Sequence, residues 1–269
     1  MLEKPYLVMG IVNVTGDSFY DGGRYAGTEA AVGHALRLID DGADVIDIGG
    51  SSSRPGAKLL PAGDETARVL PVIEGLIKRG IGVPVSVDTT WAAVAQSALG
   101  AGAEWVNDIS AGRIDPDMPD VAARAGCTVV LTHSRKTPET MQDDPQYGDV
   151  AEDVAGELMQ SAGNFLSAGV DGGKIILDPG FGFAKGVSHN IALLRGINRI
   201  ACLGYHVMVG LSRKSFIGAI TGRGVEERLP GTLAATAVAY QMGARIFRVH
   251  DVKETVDFLK VLVFDNEKK

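Results

Sequence analysis

Eight short apolar runs, stretches of three- and four-residue apolar spacing between them, and a length of 269 residues predict an α/β protein whose parallel sheet closes as a single-domain (β/α)8 TIM barrel over residues 1–269. The apolar runs lack a clean alternation with polar residues. Such strands are buried on both faces, which is the signature of a parallel sheet. A doubly wound open sheet is the competing architecture, and at this length it would usually have fewer strands.

In chain order the strands are YLVMGIV (6–12), ADVIDIG (43–49), VPVSVD (83–88), EWVNDI (104–109), CTVVLTH (127–133), KIILD (174–178), HVMVGLS (206–212) and ARIFRVH (244–250). Helical spacing fills the intervening stretches, for example 28–43, 64–80 and the Ala-rich 91–103. Gly42, Gly80, Gly102, Gly126, Gly169 and Gly243 follow such stretches, where a left-handed residue closes a helix. The longest irregular segments, 13–27, 49–63 and 133–148, each follow a strand. Each therefore belongs at the C-terminal mouth of the barrel, where long loops carry function.

Composition narrows the function classes. Hydrophobic residues make up 45% and charged residues 22%, with a net charge of −7. No basic patch offers itself to nucleic acid or a membrane surface, and no run approaches the roughly 18 apolar residues of a membrane span. Cys127 opens the apolar run CTVVL and reads as a buried core thiol. With Cys202 it makes two unclustered cysteines, which fit a reducing compartment. The N-terminal stretch has no basic region, long apolar region or cleavage site of a leader. A cytoplasmic protein is expected.

The stretch KIILDPGFGFAK, residues 174–185, ends a strand on Asp178 and turns into a Gly-rich loop. Other strands end in the same manner. Asn13, Thr15, Asp17, Phe19 and Asp21 follow the first strand; Asp47, Ser53 and Arg54 accompany the second. Asp88, Asn107–Asp108, Thr132–His133, Ser212–Ser215, and Arg248 with His250 mark the third, fourth, fifth, seventh and eighth. Any one of these can be a helix cap, and Asp251, Thr89 and Asp108 read that way. Polar groups at all eight strand ends argue for a site at one mouth. Arg248, His250 and Asn13 suit an anion such as diphosphate. Asp88, Asn107, Asp178 and Lys214 form a donor–acceptor set for a polar heterocycle, with Phe183 to stack on it. The chain has no Walker A or HExxH sequence, no hydrolase triad order, no covalent nucleophile that stands out, and no Lys in an evidently desolvated Schiff-base position.

Seven ordered motifs, GIVNVTGDSFYDGG, DIGGSSSRPGA, VSVDT, NDISAG, DPGFGFAK, GLSRKSFIG and RVHDV, span nearly the whole chain. Together they resemble dihydropteroate synthase, the sulfonamide-inhibited enzyme family of folate biosynthesis. The resemblance implies a homodimeric TIM barrel that uses Mg²⁺ and joins a dihydropterin methyl diphosphate to p-aminobenzoate, releasing diphosphate. It further implies pterin binding by Asp88, Asn107, Ile109, Thr132, Asp178, Phe183, Lys214 and Arg248. Diphosphate falls to Asn13, Arg248 and His250, with the metal on Asn13. The p-aminobenzoate pocket falls to Phe19, Ser53, Arg54, Pro55 and Ser215, and catalytic roles to Asp17, Asp21, Arg54, Lys214 and Arg248.

Three positions depart from the family pattern. Gly16 stands where Pro is usual and loosens the first loop. Ser51 replaces a usual Glu, and Ser53 stands where Thr or Ser is found. Thr132 takes the place of a Met that lines the pterin pocket in many members, a smaller and more polar side chain. Two other readings share the barrel: a pterin-binding methyltransferase acting on methyltetrahydrofolate, and a weakened or non-catalytic homologue. The first has no need of the NVTGDSFYDGG and SRPGA loops or of the Arg248–His250 pair. The second would be marked by loss of Asn13, Arg54, Lys214 or Arg248, and all four are present.

Overall fold

Strands β1 (Leu7–Asn13), β2 (Val45–Gly49), β3 (Val85–Asp88), β4 (Trp105–Asp108), β5 (Thr128–Thr132), β6 (Ile175–Asp178), β7 (His206–Val209) and β8 (Ile246–Val249) pair in parallel and in sequence order. β8 pairs back onto β1 and closes the barrel. The structure is a computed structural model that describes residues 4–14, 24–52, 54, 56–141 and 145–264. Helices α1 (Arg24–Asp40), α2 (Ala62–Lys78), α3 (Ala92–Gly100), α4 (Met118–Ala125) and α5 (Val150–Ser167) each follow one strand. Two helices follow β6, α6 (Val187–Arg195) and α7 (Ile197–Ala201), and two follow β7, α8 (Ser215–Thr221) and α9 (Leu229–Gln241). α10 (Val252–Val263) closes the round.

All eight expected strands are present, β1 shifted forward by one residue and the others trimmed by up to three residues at their ends, and α1 starts four residues earlier than its apolar spacing indicated. The six glycines expected at helix ends all have positive φ. Local side chains set some boundaries. Asp149 caps α5 by accepting from Ala151 N and Glu152 N. Cys127 is buried, and burial pushes its thiol up to about 11, so it is an inert core group. Among the described residues no helix is long and apolar enough to cross a membrane.

Side-chain direction alternates along a strand, and that parity builds the site. Val8, Val12, Ile46, Ile48, Val85, Val87, Val129, Leu131, Leu177 and Phe247 join the large core between strands and helices. The opposite parity points into the barrel. There Met9, Val45, Val130, Ile176, Met208 and Ile246 form a separate apolar floor. Two residues further along these strands, the same inward face carries Asp47, Thr132, Asp178 and Arg248, and in β3 and β4 it carries Asp88 and Asn107. Asp108 has the other parity. Its carboxylate accepts from Ser110 N, Ser110 Oγ and Gly112 N; this closes a local turn and not a helix, contrary to the cap reading, because α4 starts only at Met118 with Asp117 at its N-cap.

Candidate active site

The floor of the mouth is one hydrogen-bonded cluster. Arg248 donates from Nε to Asp47 Oδ2 and from Nη2 to Asp88 Oδ2, each at 2.7 Å. Asn107 Nδ2 donates to the same Asp47 Oδ2 at 3.0 Å. Neighbouring register delivers these side chains: Asp88 pairs with Asn107 across β3–β4 and with Gly49 across β2–β3. Desolvation raises Asp88 to about 7, Arg248 opposes the shift, and Asp47, Glu65 and Asp108 add to it. Desolvation also works against the Arg248 charge, but Asp47 and Asp88 outweigh it and hold the guanidinium firmly protonated. Two of its five N–H donors are committed to the cluster.

Asp178 faces this cluster from β6, with Thr132 as its register partner and itself buried. Its Oδ1 accepts from Gly180 N at 2.7 Å, and its backbone oxygen accepts from His133 N at 2.9 Å. Gly180 has φ +70°, and a Cβ there would lie 2.0 Å from the His133 carbonyl oxygen, so only glycine permits this turn. Burial raises the Asp178 pKa, against the Gly180 hydrogen bond and then the charges of Lys214, Arg248 and Lys185.

Lys214 sits between Asp178 and an aromatic wall. Its Nζ lies 4.6 Å from the centre of the Phe183 ring, a cation–π distance. Desolvation lowers the ammonium to about 8, with Asp178 as the main opposing charge. Met141, Ala184 and Ile109 pack with Phe183. The preceding residue, Arg213, holds φ +56°. Its guanidinium grips both Asp251 oxygens, at 2.6 and 3.0 Å, and Glu226 at 2.6 Å. Asp251 is therefore an ion-pair partner and makes no cap hydrogen bond with its side chain, contrary to the cap reading. Thr89 Oγ1 accepts from Trp91 N at 3.1 Å, but Trp91 holds the N-cap position of α3, which has no side-chain cap hydrogen bond, so Thr89 is not a helix cap either.

The rim holds Asn13 and His250. Asn13 ends β1 and is exposed. A side chain at Gly49 would sit 3.8 Å from Asn13 Oδ1 and 3.5 Å from Asp88 Oδ2, so glycine keeps the space between them open. His250 Nδ1 lies 3.0 Å from Ser212 Oγ, whose oxygen also accepts from His250 N. Desolvation, followed by Arg248 and Arg213, lowers His250 to about 4. The imidazole is neutral at physiological pH.

Comparison with known proteins settles the family. The family model described as pterin binding enzyme matches residues 9–250. A dihydropteroate synthase of Bacillus subtilis is 46% identical over 97% of this chain and 88% of its own, and one of Escherichia coli is 42% identical over 97% and 92%. A dihydropteroate synthase structure from Xanthomonas albilineans with 4-aminobenzoic acid superposes with a TM-score of 0.91 at 44% identity, covering 99% of this chain and 95% of that one. The chain belongs to the dihydropteroate synthase family.

It is accordingly a transferase of the dihydropteroate synthase type, as its ordered motifs indicated. Asp88, Asn107, Thr132, Asp178, Lys214 and Arg248 converge at the mouth, and Phe183 and Ile109 share the wall beside them. Asn13 and His250 stand at the rim. Ser215 is exposed at the start of α8, and Arg54 is exposed on the β2–α2 loop, outside the cluster just described. Asp17, Phe19, Asp21, Ser53 and Pro55, with Gly16, lie outside the described residues. Two groups were given no role from the sequence, although Asp47 was named among the strand-end polar residues. Asp47 is fully buried and joins Arg248 to Asn107; an acid at the inward parity of the apolar run VIDIG was its signal. Lys185 is a desolvated lysine, 3% exposed and lowered by burial to about 7, with its Nζ held by groups of the protein.

Proposed function

We propose that three groups of mouth residues divide the reaction that joins 6-hydroxymethyl-7,8-dihydropterin diphosphate to p-aminobenzoate. The pterin takes the inner site: Asp88, Asn107, Asp178 and Lys214 present acceptors and a cation to its edge, with Phe183, Ile109 and Thr132 around its ring. Asp178 keeps one oxygen and a lone pair of the other beyond its Gly180 bond, enough for a paired hydrogen bond to the 2-amino group and a ring N–H. Diphosphate falls to Asn13, Arg248 and His250. p-Aminobenzoate falls to Phe19, Ser53, Arg54, Pro55 and Ser215 at the rim. The observation that carries this reading is the inward convergence of Asp47, Asp88, Asn107, Asp178 and Arg248 on one mouth.

In the reaction the bond between the pterin methylene carbon and the diphosphate oxygen breaks, with the electron pair leaving on diphosphate. The arylamine nitrogen forms the new C–N bond and releases one proton to solvent. Arg248 is pre-aimed by Asp47 and Asp88, so it stabilises the leaving oxygens without reorganising. His250 acts as a neutral donor: Ser212 donates to Nδ1, which leaves the proton on Nε2 for a phosphate oxygen. Asp17 and Asp21 stand as acids for charge developing on the pterin methylene. The amine needs positioning more than activation.

Mg²⁺ fits this site in one form. Among the described residues no cluster of three or more His, Cys, Asp or Glu can hold a metal. Magnesium binds readily with few protein oxygens when substrate phosphates and water complete its shell, and Asn13 offers such an oxygen at the rim. When bound it neutralises charge on the phosphate oxygens. The same reading takes the chain as one cytoplasmic domain over 1–269 acting on small molecules, and as a homodimer. The exposed Val261 and Phe264 at the end of α10 support an interface there.

The test is purified protein with Mg²⁺, the pterin diphosphate and p-aminobenzoate. Stoichiometric release of diphosphate and dihydropteroate is expected. No release at saturating substrates would overturn the assignment.

A further inference from the structure

Lys185 closes the loop that begins at Asp178, and its ammonium ends inside the protein. Nζ lies 2.9 Å from His133 Nδ1, 3.0 Å from Gly180 O and 3.0 Å from Phe183 O. An ammonium has three N–H donors, and three acceptors meet it. Two are carbonyls of its own loop; the third belongs to the loop after β5.

The contacts continue in a ring. With Nδ1 accepting, His133 carries its proton on Nε2 and donates to Glu157 Oε2 at 3.0 Å. Desolvation and the Lys185 charge hold His133 down at about 4, so it stays neutral. Glu157 Oε1 accepts from Arg135 Nε and Nη2 at 2.9 and 2.6 Å. The Arg135 guanidinium lies 4.0 Å above the Tyr147 ring, and Tyr147 donates its hydroxyl to Ala184 O at 2.9 Å. The ring of contacts thus returns to the residue beside Lys185. It joins the loop after β5, through Met141, to the loop that carries Asp178 and Phe183.

Burying a lysine is unfavourable, and an apolar side chain of similar volume would often serve stability as well or better. What the ammonium does here is fix two backbone carbonyls on either side of the Phe183 turn. We propose that Lys185 is a positioning residue of the pterin pocket, a three-point clamp that holds Asp178 and Phe183 in register before substrate arrives. The clamp rests on the functional reading above, since it presumes that these two residues meet the pterin.

Lys185→Met keeps an unbranched side chain, one heavy atom shorter, and removes every donor. Pterin diphosphate is titrated calorimetrically without p-aminobenzoate, and KM for p-aminobenzoate is read at saturating pterin. The variant is expected to bind pterin diphosphate about tenfold more weakly, the scale of a displaced binding group. Its KM for p-aminobenzoate stays within about twofold. Glu157→Gln, one link further out, weakens pterin binding less and adds nothing in the Lys185→Met background, the mark of a shared network. Pterin affinity within about twofold of wild type in folded Lys185→Met, or equal losses for both substrates, overturns the clamp. Should Lys185→Met fail to fold, unchanged pterin affinity in Glu157→Gln overturns it. Absence of pterin binding by the wild type overturns the functional reading instead.

Discussion

Asp47 and Asn107 lie 60 residues apart in sequence and meet at 3.0 Å inside the barrel, on the same carboxylate oxygen that receives Arg248. The bond settles which way the Asn107 amide faces. Its nitrogen is turned to Asp47, and its oxygen is buried without a hydrogen-bond partner. Asp47→Ala would leave Arg248 and Asn107 without their common partner. A loss of about 3 kcal/mol in stability is expected for breaking such a buried pair, measured by urea unfolding, together with weakened binding of pterin diphosphate.

Asp178→Asn should separate fold from function. The side chain keeps its size and an oxygen for Gly180 N but presents an N–H where the pterin also has one. Turnover is expected to fall by at least about 100-fold, mostly through pterin affinity, with the melting temperature little changed. Normal pterin affinity in the variant would contradict the assigned role.

Gly180→Ala tests the turn that aims Asp178. A Cβ at φ +70° would press against the His133 carbonyl at 2.0 Å, so the loop has to move. A destabilisation of about 2 kcal/mol or more is expected from the left-handed conformation and the clash together. Pterin binding should be lost alongside it. Calorimetric titration and thermal unfolding read the two effects separately.

Glu65 gives a pH signature. It is 1% exposed beside Asp88, and desolvation raises it from 4.5 to about 7, against Thr89 and Arg68. A folded pKa above the unfolded one means that the folded state binds more protons between those values. Stability from this group is therefore full below about pH 4.5 and is lost as pH rises through 7, by about 3 kcal/mol on the linkage scale. Glu65→Gln should gain stability relative to wild type as pH rises from 4.5 to 8, with the difference vanishing at the acid end. A pH-independent difference between the two proteins would contradict the buried-acid account.

Much of the site was readable because a barrel strand of four or five residues places its last inward side chain at the mouth. Asp88, Asn107 and Asp178 needed only the strand ends, and Arg248 only its place near one. Lys185 was not readable in that way. Its desolvation depends on Gly180, Phe183 and His133 folding around it, and no spacing encodes that. Asp251 looked like a cap because it precedes a helix, but Arg213, 38 residues earlier, takes both its oxygens.

By itself the sequence determined the closed parallel barrel, because eight apolar runs with helical spacing between them have few other ways to bury both faces of a sheet. Ordered motifs along nearly the whole chain also determined the family. Tertiary structure alone decided which polar groups share a partner: Asp47 with Arg248 and Asn107, Lys185 with His133, Arg213 with Asp251. Residues 38 to 201 positions apart are brought within hydrogen-bond reach by register and closure. Hydrogen bonds act over about 3 Å, a scale on which sequence position carries no information until the barrel has closed.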